Sequence, residues 1–204
     1  MVKVILAYDE DNYTLGQYFA YCYSDISQYF DGLQHGIVEI KGRILNSAYI
    51  DFELAKYEEI PFIFIAYSHG TNVSLISDEE YLGISSNLKP FSNSFIYTFS
   101  CSSGHTLGNH LIQNGARVFI GYNKEIHIIT TYQQIFAECA NEGMKHFLSG
   151  DNIKLAFQKM KERHNQEIDN IYSKNSLVAS TIRKNRDALI MRGHQSNWDI
   201  THFH

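Results

Sequence analysis

A histidine and a cysteine each follow a short apolar segment of this chain. Phe62–Tyr67 runs into Ser68-His69-Gly70, and Phe95–Phe99 runs into Ser100-Cys101-Ser102-Ser103-Gly104. Both apolar segments are typical of buried strands. If the two strands are neighbours, their ends meet at the edge where open α/β sheets bind ligands. The spacing therefore predicts a Cys/His dyad, the pairing used by cysteine hydrolases.

The chemistry of this dyad requires an available thiolate, because a protonated thiol is a poor nucleophile. A helix predicted to begin at Gly104–His105 would place positive partial charge near Cys101 and favour the thiolate. His69 would supply the proton for the leaving group. The N–H of Gly70 could point at a developing oxyanion, since glycine lets the backbone approach a substrate closely.

Taken singly, a buried cysteine or histidine is more often a structural residue than a catalytic one. The occurrence of both at the ends of successive strands favours catalysis. Cys22 and Cys139 fall on predicted helix faces, which indicates core packing. His105 is the rival candidate for the base. Because the remaining histidines and cysteines lack the spacing of metal ligands, we expect neither a metal nor another cofactor.

Two other kinds of active site that use a nucleophile after a strand each require a residue that this chain lacks at the corresponding position. A phosphatase loop needs arginine where the chain has Leu107, and a nucleophile elbow needs glycine where it has Phe99. The sequence also contains no glycine-rich phosphate-binding loop. These comparisons leave hydrolysis by a Cys/His pair as the predicted chemistry.

The elements that must position these residues alternate between strands and helices. Apolar periodicity predicts strands at Val2–Tyr8, Phe62–Tyr67, Ser94–Ser100, Arg117–Tyr122 and Ala188–Arg192, and a hairpin of Val73–Ile76 with Tyr81–Ile84. It predicts helices over Thr14–His35, Ile44–Tyr57, His105–Gln113, Thr131–Leu148, Ile153–Tyr172 and from Ser176. This order predicts an α/β fold with a mostly parallel central sheet and helices on both faces. We expect one domain over residues 1–204.

Composition narrows the partners and the compartment. A net charge of −5 argues against nucleic acid as a direct partner. The apolar runs are too short to span a membrane, and Asp9 interrupts the first of them too early for a signal peptide. The three cysteines are far apart and odd in number, which favours a reducing environment. We therefore expect a cytoplasmic protein that does not bind membranes.

The segments around His69 and Cys101 resemble the caspase-like (clan CD) superfamily of cysteine peptidases, with CHAT and gingipain-type domains as the nearest likeness. In that family a His-Gly follows one buried strand and a cysteine follows the next. A short helix, Gly-Ala and another strand come after the cysteine, as in Gly115-Ala116 and the segment that follows. The likeness covers about residues 60–160. It implies the caspase-haemoglobinase fold.

The resemblance also implies catalytic roles. Cys101 would be the nucleophile and His69 the general acid–base. The backbone N–H groups of Gly70 and Cys101 would form the oxyanion hole. In this family the two catalytic side chains need not touch in the free enzyme.

By the same resemblance, the specificity pocket is formed by residues after the first strand, before the cysteine and after the following strand. The matching residues are Asp9, Ser100, Asn123 and Glu125. Asp9 would hold a Lys or Arg side chain of the substrate; the alternative is a solvated acidic turn. The chain departs from metacaspases, which have an acidic residue where Phe99 stands. It also lacks the arginine pair with which caspases select aspartate.

The resemblance implies an endopeptidase that cuts a specific protein partner. By analogy with CHAT domains, an activating protein partner and a role in prokaryotic defence or cell death are expected. Two alternatives stay open. One is a catalytically silent caspase-like interaction module, against which the presence of both His69 and Cys101 argues. The other is a small amide or thioester hydrolase that uses the same dyad.

Overall fold

A six-stranded sheet forms the centre of the molecule. A computed structural model describes residues 2–30, 36–57, 60–193 and 198–203. The strands are β1 (Val4–Tyr8), β2 (Ile37–Lys41), β3 (Ile63–Tyr67), β4 (His69–Gly70), β5 (Ser74–Ile76), β6 (Glu80–Gly83), β7 (Phe95–Phe99), β8 (Val118–Tyr122) and β9 (Leu189–Gly193). The central order is β2-β1-β3-β7-β8-β9. Its first five strands run parallel and β9 runs antiparallel to β8, which confirms the predicted mostly parallel sheet.

Six helices cover the sheet. They are α1 (Gly16–Ser27), α2 (Ser47–Leu54), α3 (Leu107–Gln113), α4 (Gln133–Leu148), α5 (Ile153–Tyr172) and α6 (Ser176–Ala188). Short 3-10 turns lie at Gly42–Ile44, Ala55–Tyr57, Lys89–Phe91, Thr130–Tyr132 and Ile200–Phe203. The bounds of α5 match the prediction, since its periodicity is long and Asn152 caps it by accepting a hydrogen bond from the Leu155 N–H.

The core lies on both faces of the sheet. In β1, Val4, Leu6 and Tyr8 face the layer of α1, α4, α5 and α6, whereas Ile5 and Ala7 face α2, α3 and the β5–β6 hairpin. Because successive side chains of a strand point to opposite faces, a strand covered on both sides must be apolar throughout. This explains why the strands that carry the site residues read as continuous apolar runs.

At the start of the chain, one predicted helix has the wrong bounds and one strand was not predicted. Helix α1 ends at Ser27, well before His35; residues 31–35 lie outside the described residues. The side chains of Ser27 and Gln28 bond back to the carbonyls of Ser24 and Asp25 at 3.1 and 3.0 Å, which competes with continuation of the helix. Strand β2 was missed, because Ile40 is its one buried residue and so it lacks a clear alternating pattern.

A second, three-stranded sheet branches from the end of β3. The predicted hairpin is present as β5 and β6, and β4 adds to it with His69 opposite Ile76 and Gly70 opposite Leu75. Strand β3 belongs to the central sheet and β4 to the small one, with Ser68 between them. The position of His69 is therefore fixed by two sheets rather than by a free loop.

Candidate active site

The ends of β3 and β7 bring the histidine and cysteine segments together. The two strands are parallel neighbours, with Tyr67 opposite Phe99. The Ser68 N–H continues the ladder by donating to the Phe99 carbonyl at 3.4 Å. His69 and Cys101 each follow two residues after this pair, so both lie at the carboxyl edge of the sheet.

Gly70 makes the closest approach between the two segments. A Cβ atom added to Gly70 would lie 2.8 Å from the Cys101 carbonyl oxygen and 2.9 Å from the Ser100 Cβ. Real Cβ atoms do not tolerate such distances, so a side chain here would force the segments apart. The glycine that follows His69 is thus required by the contact with Ser100 and Cys101.

A tight turn follows Cys101. Ser102 adopts a positive φ of 55°, which is uncommon for a residue with a side chain. Within the turn the Ser103 hydroxyl donates to the Ser100 carbonyl at 3.0 Å, and the Gly104 N–H donates to the Tyr122 carbonyl at 2.8 Å. These bonds attach the turn to β7 and β8. The cysteine is therefore held by the sheet on both sides.

The prediction that a helix begins at Gly104–His105 was wrong. Helix α3 begins at Leu107, and its seven residues are preceded by Thr106, whose side chain makes no capping hydrogen bond. Five residues thus separate Cys101 from the first residue of the helix. Because a helix dipole acts within about one turn, α3 does not favour the thiolate of Cys101.

The Cys101 thiol instead contacts the segment after β8. The Ile126 N–H donates to Sγ at 3.5 Å, and the thiol donates to the Ile126 carbonyl at 3.7 Å. Burial raises the pKa of Cys101, and the charge of Glu125 raises it further, although the Ile126 N–H opposes both. The resting cysteine is thus a thiol. Among the described residues, its hydrogen bonds are made with Ile126 rather than with His69.

His69 is half-buried and lies near a buried carboxylate. Its ring meets the Phe19 ring edge-on with centroids 5.9 Å apart. Asp9 is 3% exposed, and its Oδ2 has no hydrogen-bond partner among the described residues. Burial raises the pKa of Asp9, whereas the Ser77 hydroxyl and the positive charge of His69 oppose that rise. Asp9 and His69 are therefore close enough to influence each other electrostatically.

A cavity of about 400 Å³ lies beside the thiol. Its lining is formed by three short segments: Gly70, Thr71 and Asn72; Cys101 and Ser102; and Glu125, Ile126 and His127. Of the predicted site residues, Gly70, Cys101 and Glu125 thus share one cavity.

The other predicted pocket residues lie elsewhere among the described residues. Asp9 and Ser100 are buried, at 3% and 1% exposure. Asn123 is half-buried, and its N–H donates to the Ala188 carbonyl at 2.9 Å. Asp9, Ser100 and Asn123, like His69, are not among the residues that line the cavity beside Cys101.

Sequence reasoning missed the residues that contact the thiol and hold that contact in place. Ile126 acts through its backbone, which leaves no side-chain signal. Asn185 of α6 is buried, and its amide bonds both backbone groups of His127. It lies 84 positions after Cys101 in a segment that reads as an ordinary amphipathic helix. Only the contact between α6 and residues 126–127 connects it with the site.

The rival candidates have local or structural environments. His105 is exposed, with Nδ1 3.2 Å from the Thr106 hydroxyl. Cys22 and Cys139 are buried free thiols whose pKa values burial raises strongly, as expected for core residues. Across the described ranges, no cluster of three or more histidine, cysteine or acidic side chains could hold a metal ion. None of the helices in those ranges is long and apolar enough to cross a membrane.

Comparison with known proteins gives a structural likeness without a sequence match. No protein-family model matches the chain, and no curated protein matches it significantly. The crystal structure of the Arg specific cysteine proteinase gingipain R superposes on 97% of the chain with a TM-score of 0.66. The protein has a caspase-like fold. This agrees with the fold expected from the residues around His69 and Cys101.

The gingipain likeness concerns the fold alone, because the sequence identity is 10%. The chain spans about half the length of gingipain R, since the match covers 47% of that protein. An inactive zymogen C11 protease from Parabacteroides distasonis also matches, at 17% identity over 61% of this chain and 49% of that one. The TM-score of this second match is 0.45.

Proposed function

We propose that this protein is a cysteine peptidase in which Cys101 is the nucleophile and His69 the general acid–base. The observation that carries the proposal is the contact between His69-Gly70 and Ser100-Cys101 at the carboxyl edge of the sheet. An added Cβ on Gly70 would meet the Cys101 carbonyl oxygen at 2.8 Å. The two reactive side chains therefore belong to backbone segments that are in direct contact.

In the proposed reaction the Cys101 thiol passes its proton to His69, and the sulfur attacks the carbonyl carbon of a peptide bond. The C–N bond breaks to leave a thioester on Cys101, and His69 gives a proton to the departing amine. Water then hydrolyses the thioester and restores the thiol. The N–H groups of Gly70 and Cys101 would stabilise the oxyanion of each tetrahedral intermediate. Among the described residues no backbone carbonyl accepts the Cys101 N–H, which leaves it available.

We assign the preference for a basic substrate residue to Glu125. Its carboxylate is exposed and lines the cavity beside Cys101, whereas Asp9 is buried. A charge-assisted bond from Lys or Arg of a protein substrate fits this position. The likeness in fold to gingipain R, which is described as Arg specific, supports the same preference.

Asp9 is better placed to act on His69 than on the substrate. Its buried carboxylate would stabilise the positive charge that His69 carries before it protonates the leaving group. Ser100 directly precedes Cys101, and Asn123 directly precedes Lys124 and Glu125. We assign both a part in substrate binding, because each helps to set the position of the residues that follow it.

The wider biological role is proposed by analogy with CHAT domains. Cleavage of one specific protein, activation by a protein partner, a place in prokaryotic defence or cell death, and a cytoplasmic location are proposals that rest on the resemblance to CHAT domains. If a partner reorders the cavity, cleavage should be slow for the isolated protein and fast for the complex. Equal rates would contradict activation by a partner.

Labelling with peptidyl acyloxymethyl ketones tests the proposal directly. Probes with Arg, Lys, Asp or Leu next to the reactive group would be compared on the wild type, Cys101→Ala and His69→Ala, with and without candidate partners. We expect labelling confined to the wild type and strongest for Arg or Lys. A preference for Asp or Leu would remove Glu125 as the selecting residue but keep the peptidase.

The matched control is Cys139→Ala, because it removes a buried thiol that lies away from the cavity. This variant should label as the wild type does. Absence of labelling under every condition, with the protein folded, would overturn the peptidase and favour a silent interaction module. Turnover of small amides or thioesters without peptide labelling would point to the small-substrate hydrolase.

A further inference from the structure

The segment 123–129, which we call the latch, runs between β8 and the 3-10 turn that precedes α4. It is attached to its surroundings at several points. The Ser102 N–H donates to the Lys124 carbonyl at 3.0 Å, and Ile126, Ile128 and Ile129 pack against the main core. The latch therefore has a fixed position over the turn that contains Cys101.

The latch presents both backbone polar groups of one residue, Ile126, to the thiol. Its N–H points to Sγ at 3.5 Å and its carbonyl accepts from the thiol at 3.7 Å. A thiol is both a donor and an acceptor, so it matches this pair of groups. A thiolate cannot donate, and it would be repelled by the carbonyl oxygen. The carbonyl side of the contact thus favours the protonated form of Cys101, whereas the Ile126 N–H lowers the pKa of the thiol.

Asn185 fixes the next residue of the latch. Its side-chain oxygen accepts from the His127 N–H at 3.0 Å, and its amide nitrogen donates to the His127 carbonyl at 2.7 Å. Asn185 is 2% exposed and lies among the buried residues of α6. Its amide orientation is set by this pair of bonds, because exchanging its oxygen and nitrogen would leave both His127 groups without a suitable partner.

We propose that Asn185 is a positioning residue that holds the latch closed over Cys101, with the N–H and the carbonyl of Ile126 both bonded to the thiol. Helix α6 is thereby coupled to the nucleophile through His127 and Ile126. Attack on a substrate requires the Ile126 carbonyl to leave the sulfur, and the two Asn185–His127 bonds resist that movement. The role of Cys101 as a nucleophile rests on the proposed function. The hydrogen bonds that hold the latch do not depend on it.

Alkylation of the folded protein by iodoacetamide tests the latch without any assumption about a substrate. Asn185→Leu keeps the branched shape and the number of side-chain heavy atoms but loses both hydrogen bonds, and Asn185→Ala loses the bonds and most of the side chain. Each lost bond shifts the opening equilibrium severalfold. We expect Cys101 to be alkylated about tenfold faster in both variants, as measured by mass spectrometry of the Cys101 peptide.

The controls separate release of the latch from loss of stability. Ile182→Val loosens the buried face of α6 one turn before Asn185 and leaves the His127 bonds intact, so its alkylation rate should match the wild type. Cys22 and Cys139 are 0% and 1% exposed and report global unfolding when they become labelled. An unchanged or slower rate at Cys101 in folded Asn185→Leu would overturn the proposal.

A measurement on the wild type keeps the test decisive if the Asn185 variants do not fold. Hydrogen exchange of the His127 amide should be at least about tenfold slower than that of an unprotected amide. Exchange as fast as an unprotected amide would contradict a closed latch. Labelling with the peptide probes distinguishes the two proposals. If iodoacetamide alkylation of Cys101 responds to substitution of Asn185 while labelling by the peptide probes fails, the latch stands without the peptidase. The peptidase stands in the reverse case.

Discussion

The carboxyl edge of the sheet and the network around Asn141, which lies between α1, α4 and β3, treat buried polar groups in opposite ways. In the helical layer, Asn141 is fully buried and completely paired. It accepts from the Tyr67 hydroxyl at 2.6 Å and donates to the Cys22 carbonyl and the Asp25 carboxylate, both at 2.8 Å. Lys145 also bonds Asp25 at 2.8 Å. This network joins α1, α4 and β3.

At the carboxyl edge, buried polar atoms lack partners within the described part of the chain. They include Asp9 Oδ2 and Asn123 Oδ1, although the helical layer also holds such atoms, the Tyr18 hydroxyl on α1 and Arg163 Nε on α5. A buried polar group without a partner costs stability, whereas a satisfied network stabilises one arrangement. The Asn141 network therefore stabilises the packing of the helical layer, and Asp9 and Asn123 give the edge local conflicts of the kind found at functional sites. Substitutions in the two regions should separate activity from stability.

The largest contrast is expected between two cysteines. Cys101→Ala should reduce peptide cleavage at least about a thousandfold, because it removes the nucleophile. Its free energy of unfolding should change little, since Cys101 is partly exposed. Cys139→Ala should keep the cleavage rate and lower stability by about 1 kcal/mol through lost packing. Cleavage assays and urea unfolding measure the two effects; residual cleavage by Cys101→Ala near the wild-type rate would remove Cys101 from the mechanism.

A second contrast concerns pH. His164 is buried in α5, donates to the Met160 carbonyl at 2.8 Å, and has its pKa lowered to about 4 by burial. Its ordinary value is 6.5, so the unfolded chain binds a proton that the folded chain excludes. Stability should therefore fall as the pH drops below 6.5 and level off near 4, by roughly 3 kcal/mol.

His164→Leu should remove this part of the pH dependence. The measurement is the difference in free energy of unfolding between wild type and variant across pH 4–7. Alkylation of Cys101 at neutral pH should be the same in both proteins, because His164 lies in the helical layer. A constant difference in unfolding free energy across that range would show that His164 does not titrate as its burial implies.

Two aspartates give the third contrast. Asp25→Asn weakens the bond to Lys145 and should lower stability by about 1–2 kcal/mol with little change in cleavage. Asp9→Asn removes a buried charge whose folded pKa is raised, so the free energy of unfolding at pH 7 should stay the same or increase. Its cleavage rate should fall about tenfold if Asp9 stabilises protonated His69. Full cleavage activity in Asp9→Asn would separate Asp9 from the mechanism.

The smallest effect is expected at Glu125. Its charge contributes to the raised pKa of Cys101, so Glu125→Gln should shift the pH profile of Cys101 alkylation to lower pH. The rate gain at neutral pH should be about twofold to threefold and should shrink in high salt, because Glu125 is exposed and its charge is screened. The same variant should lose the preference for Arg and Lys probes. Retention of that preference would assign specificity to another residue.

The fold and the pairing of the two site segments could be predicted from local sequence. The runs before His69 and Cys101 are strongly apolar, and their order implied parallel neighbours. The bounds of α1 and the start of α3 were wrong, because side-chain bonds at Ser27 and the turn at Ser102 decide them. Strand β2 was missed since it is mostly exposed. In each case a local contact or partial exposure overrode the periodic pattern.

By itself, the sequence determined where the apolar strands end and which reactive residues follow them, because burial on two faces imposes a pattern that can be read residue by residue. The tertiary structure decided what those residues contact. The backbone N–H and carbonyl of Ile126 bond the Cys101 thiol, Asn185 fixes His127, and the Asp9 carboxylate is buried near His69. Backbone groups and packing between distant segments create these contacts. They leave no repeating signal in the chain, since any residue carries the same peptide group.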